Sequence, residues 1–123
     1  MENHQDRRLS LGRSGEDAAV DFLETNRCRI LARGFRALRG EIDIVARDGD
    51  TIVFIEVKTR AGAGFGSPEE AVTAAKQRRI RRIAEAFLSK FRIGPDTPCR
   101  FDVISLGPGN GGDTEIRHIK DAF

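Results

Sequence analysis

A chain of 123 residues, 39% of them hydrophobic, has the length and apolar content of one domain with a continuous core. Its longest apolar runs, such as Thr51 to Ile55, span only a few residues. Neither a membrane-spanning helix nor a signal-peptide core is expected, and the reading is a soluble cytoplasmic protein. The formal net charge of +2 conceals 17 arginines against 4 lysines, gathered in blocks. Cys28 and Cys99 lack CxxC or Cys/His spacing and read as reduced, packed thiols, and His4 and His118 lack ligand spacing as well.

Residues 1–13 are polar without a sustained apolar period and are expected to form a tail, leaving 14–123 as the single domain. Ser14 and Asp17 resemble a capping box, and Ala19, Val20, Phe22 and Leu23 supply an apolar face, so a helix is predicted from Gly15 to Thr25. Glu16 lies three, four and seven positions before Ala19, Val20 and Leu23. Its carboxylate therefore sits beside the buried stripe, where its ordinary role is to complement the helix dipole.

Cys28 to Phe35 alternates apolar residues with Arg27, Arg29 and Arg33 until Gly34 interrupts, which predicts a strand with one basic face. The five arginines between Arg27 and Arg39, Arg36 among them, are accompanied by no acid. Gly40 opens a second strand, Glu41 to Arg47, and Asp48-Gly49 is a hairpin signal leading into Thr51 to Lys58. A two-residue loop at Asp48-Gly49 pairs Arg47 with Asp50, Asp43 with Phe54, and Glu41 with Glu56. That register places Glu41, Asp43, Glu56 and Lys58 on one face. Ile42, Ile44, Val53, Ile55 and Val57 take the other. Val45, Ile52 and Phe54 make the charged face partly apolar, so helices are expected to cover both sides of the sheet.

Ala61 to Gly66 reads GxGxG and is followed by no GK[ST], which excludes a P-loop or dinucleotide fingerprint and leaves a connection or a flap over the charged face. Ser67, Pro68 and Glu70 form a capping box with proline at the first helical position, predicting a helix to about Lys90. Lys76 falls within that helix's apolar stripe of Val72, Ile80, Ile83, Ala84 and Phe87. A lysine there either snorkels outward along its stem or requires a carboxylate or phosphate partner. The stretch Lys76 to Arg92 carries seven basic residues, Arg79 among them, against Glu85 alone. A strand at Arg100 to Leu106 follows, parallel to the third, with Asp102 read as part of a structural ion pair. A glycine-rich loop and a short strand at Glu115 to Ile119 complete the order α-β-β-β-α-β-β, an α/β sheet between helices.

The hairpin face has the chemistry of metal-assisted phosphodiester hydrolysis. Mg²⁺ takes a few carboxylate oxygens and keeps waters, a role that suits Asp43 and Glu56, with the Val57 carbonyl as a further ligand. Lys58 then orients the nucleophile or stabilises developing charge. Arginine's planar fork suits phosphate, and Arg36, Arg39, Arg60 and Arg79 are the candidate contacts to nucleic acid.

The segments GEIDIVARDG, VFIEVKTR, FGSPEEAV with the following Lys76, RFDV and the terminal AF closely resemble the YraN family of small bacterial proteins, over nearly all of Gly12 to Phe123. That family is similar to the PD-(D/E)XK nucleases, in particular the archaeal Holliday-junction resolvase branch. The resemblance implies a restriction-endonuclease-like mixed sheet and maps the motif onto Glu16, Asp43 and Glu56-x-Lys58, with Ile42 standing where the motif's proline would be. It implies that Glu16 assists the metal site and that Lys76 supports it. The expected activity is a Mg²⁺- or Mn²⁺-dependent endonuclease on branched or structured DNA, with RNA as the other substrate class, and a resolvase-like role favours a two-fold homodimer. The alternative is a non-catalytic nucleic-acid-binding module that keeps the fold.

Overall fold

The computed structural model describes residues 11–60, 72–109 and 114–123. These form α1 (Leu11–Thr25), β1 (Arg29–Ala37), β2 (Gly40–Asp48), β3 (Thr51–Thr59), α2 (Ala74–Lys90), β4 (Cys99–Pro108) and β5 (Thr114–Ile119). The strands lie side by side in chain order. Each neighbouring pair is antiparallel except β3 and β4, which are parallel because α2 returns the chain between them.

Alternation along the central strands distributes apolar side chains to both sides of the sheet. Ile44, Ala46, Val53, Ile55 and Ile104 pack with Ala19 and Leu23 of α1. Val45, Ile52, Phe54 and Val103 pack with Ile80, Ile83, Ala84 and Phe87 of α2. The expected mixed sheet with a helix on each side is therefore present. Each fully buried side chain of this size stabilises the fold by roughly 1.5–3 kcal/mol. The α2 side is aromatic: Phe54 stacks on Phe101 at 5.4 Å, and Phe123 also stacks on Phe101 at 5.4 Å. The Ala122 N–H donates to the Phe101 carbonyl, so the terminal AF serves as an anchored edge of the core.

Local start signals misplace two helices. α1 begins at Leu11, so residues 11–13 belong to the helix and Ser14 lies within it. The capping box expected at Ser67 and Glu70 lies outside the described residues. α2 starts at Ala74 with Thr73 as its N-cap: Thr73 is extended (φ −66°, ψ 161°) and its side chain accepts from the Lys76 N–H at 3.2 Å. A continuous helix from Ser67 is thus excluded by the backbone at Thr73, and Lys76 sits in the first turn.

The β2–β3 register also differs from expectation. Asp48 pairs with Thr51, Arg47 with Ile52 and Val45 with Phe54, so the loop is Gly49-Asp50. Gly49 has φ 61° and occupies the first central position, as type II′ turns require. The shift is two residues, an even number, so within the registered pairs, Ile44 to Asp48 with Thr51 to Ile55, the side chains keep their faces while their partners across the pair change. Freed from the turn, Asp48 accepts from the Arg100 guanidinium at 3.1 Å.

β1 runs through Gly34 instead of stopping there, because that glycine adopts φ 62° inside the strand. It lies between the pairs Arg33–Ile44 and Phe35–Ile42. At the same point Ile42 departs from strict alternation and joins the α2-side core, although it is expected beside Ile44. The β1–β2 turn is Leu38-Arg39, with φ 51° and 62°, closing on the pair Ala37–Gly40. Type I′ geometry is thus built from two residues that disfavour it, at roughly 1–2 kcal/mol each.

Asp102 is fully buried and satisfied on all sides, as the structural reading expected. Its carboxylate takes Arg100 at 2.9 Å, His118 Nε2 at 2.7 Å and the Asp121 N–H at 2.9 Å. Burial pushes its pKa up, but these hydrogen bonds outweigh burial and hold it below the usual 3.8. Removing one partner of such a cluster strands the others. Asp102→Ala is expected to lower stability by about 3–5 kcal/mol, read as an earlier urea midpoint.

Candidate active site

The β2–β3 pairing is registered as far as Ile44–Ile55 and leaves Asp43 and Glu56 just beyond its end. There the Asp43 carboxylate accepts the Val57 backbone N–H at 2.8 Å, occupying the place of a ladder bond. Val57 is thereby tied to Asp43 through its nitrogen. Glu56 points to the α2 side and is only 7% exposed, which a carboxylate tolerates only when paired. Lys76 Nζ lies 2.6 Å and Lys58 Nζ 3.5 Å from the same Glu56 oxygen, Oε1.

The position of Lys76 explains why its partner matters. The first turn of α2 contains no acid, and a cation there opposes the helix dipole by about 0.3–1 kcal/mol. Glu56 reverses that balance. Burial lowers the Lys76 pKa, yet the bond to Glu56 outweighs it and the net shift is upward. Lys58 moves the other way, pushed down first by its contact with Lys76 and then by burial. Two lysines sharing one carboxylate oxygen are therefore unequal: Lys76 holds its proton firmly and Lys58 is the readier to give one up.

Asp43 is pushed up to about 6, first by burial and next by the neighbouring Glu56, against the Val57 hydrogen bond that lowers it. Glu16 and Glu41 add smaller repulsions, so both approach the same region. Arg33 was not anticipated from the sequence: its guanidinium donates to Glu16 at 3.1 Å and to Asp17 at 2.6 Å, joining β1 to α1. Its only signal was its place in the basic stretch. Gly34, next to it, leaves room at the acidic end of the strand; a Cβ there would stand 3.1 Å from a Glu41 carboxylate oxygen.

A cleft of about 420 Å³ adjoins this site, lined by Gly40, Glu41, Thr73, Lys76 and Arg79. Arg36, Arg39 and Arg79 are exposed around it or on the neighbouring hairpin. Arg60 is different. Its Nε donates to Ser105 at 2.7 Å and its Nη2 meets Glu115 at 3.3 Å, so the fold itself occupies the guanidinium expected to contact nucleic acid. Gly107 is what admits it, since a Cβ there would meet Arg60 at 2.9 Å.

Among the described residues no three His, Cys, Asp or Glu side chains converge tightly enough to cage a metal. The described helices also include none long and apolar enough to cross a membrane. The glycine-rich stretch 61–66, expected as a connection or flap, lies outside the described residues.

The arrangement defines a class: a small mixed α/β protein with paired carboxylates and two lysines at the end of a central hairpin. Residues 15–106 match the model of the Uncharacterised protein family UPF0102. A UPF0102 protein of Geobacter metallireducens is 53% identical over 114 residues, covering 93% of this chain and 92% of its own. Another from Symbiobacterium thermophilum is 50% identical over 113 residues, covering 92% and 95%. A third, from Rhodococcus opacus, is 44% identical over 115 residues, covering 94% and 97%. The chain belongs to the UPF0102 family, the YraN-like proteins that its motifs resemble.

The raised Asp43 carboxyl gives a stability test. The unfolded chain releases this proton near 3.8, whereas the native state keeps it to about 6, so the native state binds more protons in that interval. Stability attributable to Asp43 therefore falls as pH rises through the interval and stays low above it. Asp43→Asn keeps an acceptor for the Val57 N–H without the charge. It is expected to stabilise the metal-free protein by about 1–3 kcal/mol at pH 7 and by little at pH 4, as read from urea midpoints.

Proposed function

We propose that this chain is a divalent-metal-dependent endonuclease acting on DNA, with a restriction-endonuclease-like sheet. The observation that carries the reading is Glu56, a carboxylate held inside the protein beside a second one, Asp43, with Lys58 and Lys76 converging on a single oxygen. Two carboxylates kept close together against their mutual repulsion favour a cation. The pKa of Asp43 expresses that repulsion.

Asp43 and Glu56, with the Val57 carbonyl, would hold Mg²⁺ or Mn²⁺, and Glu16 from α1 would support them. Such an ion supplies Lewis acidity toward a phosphate oxygen and lowers the pKa of a bound water. Lys58, whose pKa is depressed, is suited to orient that water and to exchange a proton with it. Lys76 holds Glu56 in place. Arg36, Arg39 and Arg79 would engage the phosphodiester backbone with the salt dependence typical of nucleic-acid binding.

A second reading has its own support. Glu56 is already neutralised by lysines, and the described residues lack a three-ligand cage, which suits a nucleic-acid-binding module without turnover. Purified protein incubated with duplex, single-stranded and four-way DNA separates the two. The nuclease reading expects cleavage in Mg²⁺ or Mn²⁺, none in chelator, and a loss of about a hundredfold or more in Glu56→Ala. Cleavage unchanged in Glu56→Ala rejects the site. Salt-sensitive binding without cleavage favours the second reading. Titrating metal against melting temperature adds an independent measurement, with a rise expected in the wild type and absent in Asp43→Asn.

A further inference from the structure

The β1–β2 turn is costly by construction. Type I′ geometry is ordinarily supplied by Asn-Gly, yet Leu38 and Arg39 hold φ 51° and 62°. Strain of this kind persists where the surroundings over-determine the backbone, and it concentrates at functional sites. The surroundings do so here. Gly40 lies so close to α2 that a Cβ on it would stand 2.6 Å from Ile83 Cδ1 and 3.4 Å from Arg79 Cδ. Ile83 is itself buried in the core, so the base of the turn is seated on a fixed surface.

What the clamped turn presents is apolar. Leu38 is 65% exposed, more than the other exposed large hydrophobics among the described residues, Leu31 at 38% and Phe91 at 52%. Those two share an apolar groove with Phe87 and Ile93, whereas Leu38 stands at a hairpin tip among charges. Arg39 follows it, Arg36 pairs across the strands with Glu41, and Arg79 approaches from α2. All three arginines are exposed. The cleft that starts at Gly40 and Arg79 also includes Lys76, the lysine that holds Glu56. The tip and the candidate active site are therefore connected along one surface.

An apolar side chain collared by arginines is poorly suited to a second copy of itself, because the contact would bring like charges together. It is well suited to a ligand that is anionic outside and apolar between its layers. Stacked bases flanked by phosphates have that construction, and proteins that kink DNA insert a leucine or similar residue between base steps while cations hold the backbone.

We propose that Leu38 is a wedge that enters an opened base step of DNA, with Arg36, Arg39 and Arg79 on the flanking phosphates. This rests on the nucleic-acid reading above and specifies its substrate class: duplex DNA with a broken stack, at a nick, mismatch or branch, where insertion meets the least resistance. The strain at Leu38 is then the consequence of placing a bulky apolar residue where Asn would serve folding better.

Leu38→Asn tests this directly, because asparagine tolerates positive φ and removes the wedge without disturbing the arginines. The full chain is mixed in chelator with nicked and intact duplexes carrying 2-aminopurine beside the nick position, and anisotropy and fluorescence are read together. The wild type is expected to bind the nicked duplex more tightly and to raise its 2-aminopurine fluorescence. Leu38→Asn is expected to melt at a higher temperature, to bind intact duplex within about threefold of wild type, and to lose both the fluorescence rise and the preference for the nick. Leu38→Gly, which also accepts the turn, is expected to behave alike. A bound wild type without a fluorescence rise, or an equal rise in both variants, overturns the wedge while leaving nucleic-acid binding intact. Absence of binding to any DNA at low salt overturns the binding reading itself.

Discussion

The bond between Lys76 and Glu56 is the constraint on which the functional end of this protein depends. Glu56 is nearly inaccessible to water, and a carboxylate in that position is tolerated only with a cation beside it. Lys76 provides one from the first turn of α2, at 2.6 Å, in a place where the helix dipole would otherwise repel it. Each residue thus offsets the other's unfavourable position. The pair also joins β3 to α2 on the side of the sheet where the cleft opens.

Around this pair the fold separates structural charge from candidate chemistry. Asp102 is completely buried, yet its pKa is held down by Arg100, His118 and a backbone N–H, so it is a satisfied group with no capacity to spare. Asp43 is the opposite case. Its hydrogen bond from the Val57 N–H does not offset burial and three nearby carboxylates, and its pKa rises. Carboxylates pushed in opposite directions by their surroundings are a sign that one supports the fold and the other is poised for a ligand. Arg60 and Arg79 divide in the same way, the first enclosed by Ser105, Glu115 and Gly107, the second open on the cleft.

The hairpin turns express the same division. Gly49 gives β2–β3 a turn that its sequence accommodates easily, next to the half-buried Asp48–Arg100 contact. The β1–β2 turn has Leu38 and Arg39 in left-handed conformations and is held by the packing of Gly40 on Ile83. One loop is optimised for folding and the other is not, and the second borders the candidate site.

Much of the architecture was legible in the residues themselves. Period-two alternation in GEIDIVA and TIVFIEVK identified the central strands, the apolar stripe from Ile80 to Phe87 identified α2, and strand parity brought Glu56 and Lys58 together with Asp43. Parity survived a register error along the paired residues because a shift of two leaves each side chain on its own face, whereas Ile42, beyond the last registered pair, changed sides. The start of α2 was not legible, because Ser67-Pro68 is a stronger local signal than Thr73 and only the extended backbone at Thr73 shows where the described helix begins. The same limit concealed the partners of charge. Sequence could say that Lys76 either snorkelled outward or needed an anion, and that Asp102 resembled an ion pair, since burial follows from pattern. Which oxygen Lys76 would reach, that Arg60 would turn inward and that Arg33 would hold Glu16 depend on distances between segments far apart in the chain. Tertiary packing decided those, because electrostatic pairing is set by separation and burial in space, and neither is encoded in any local stretch.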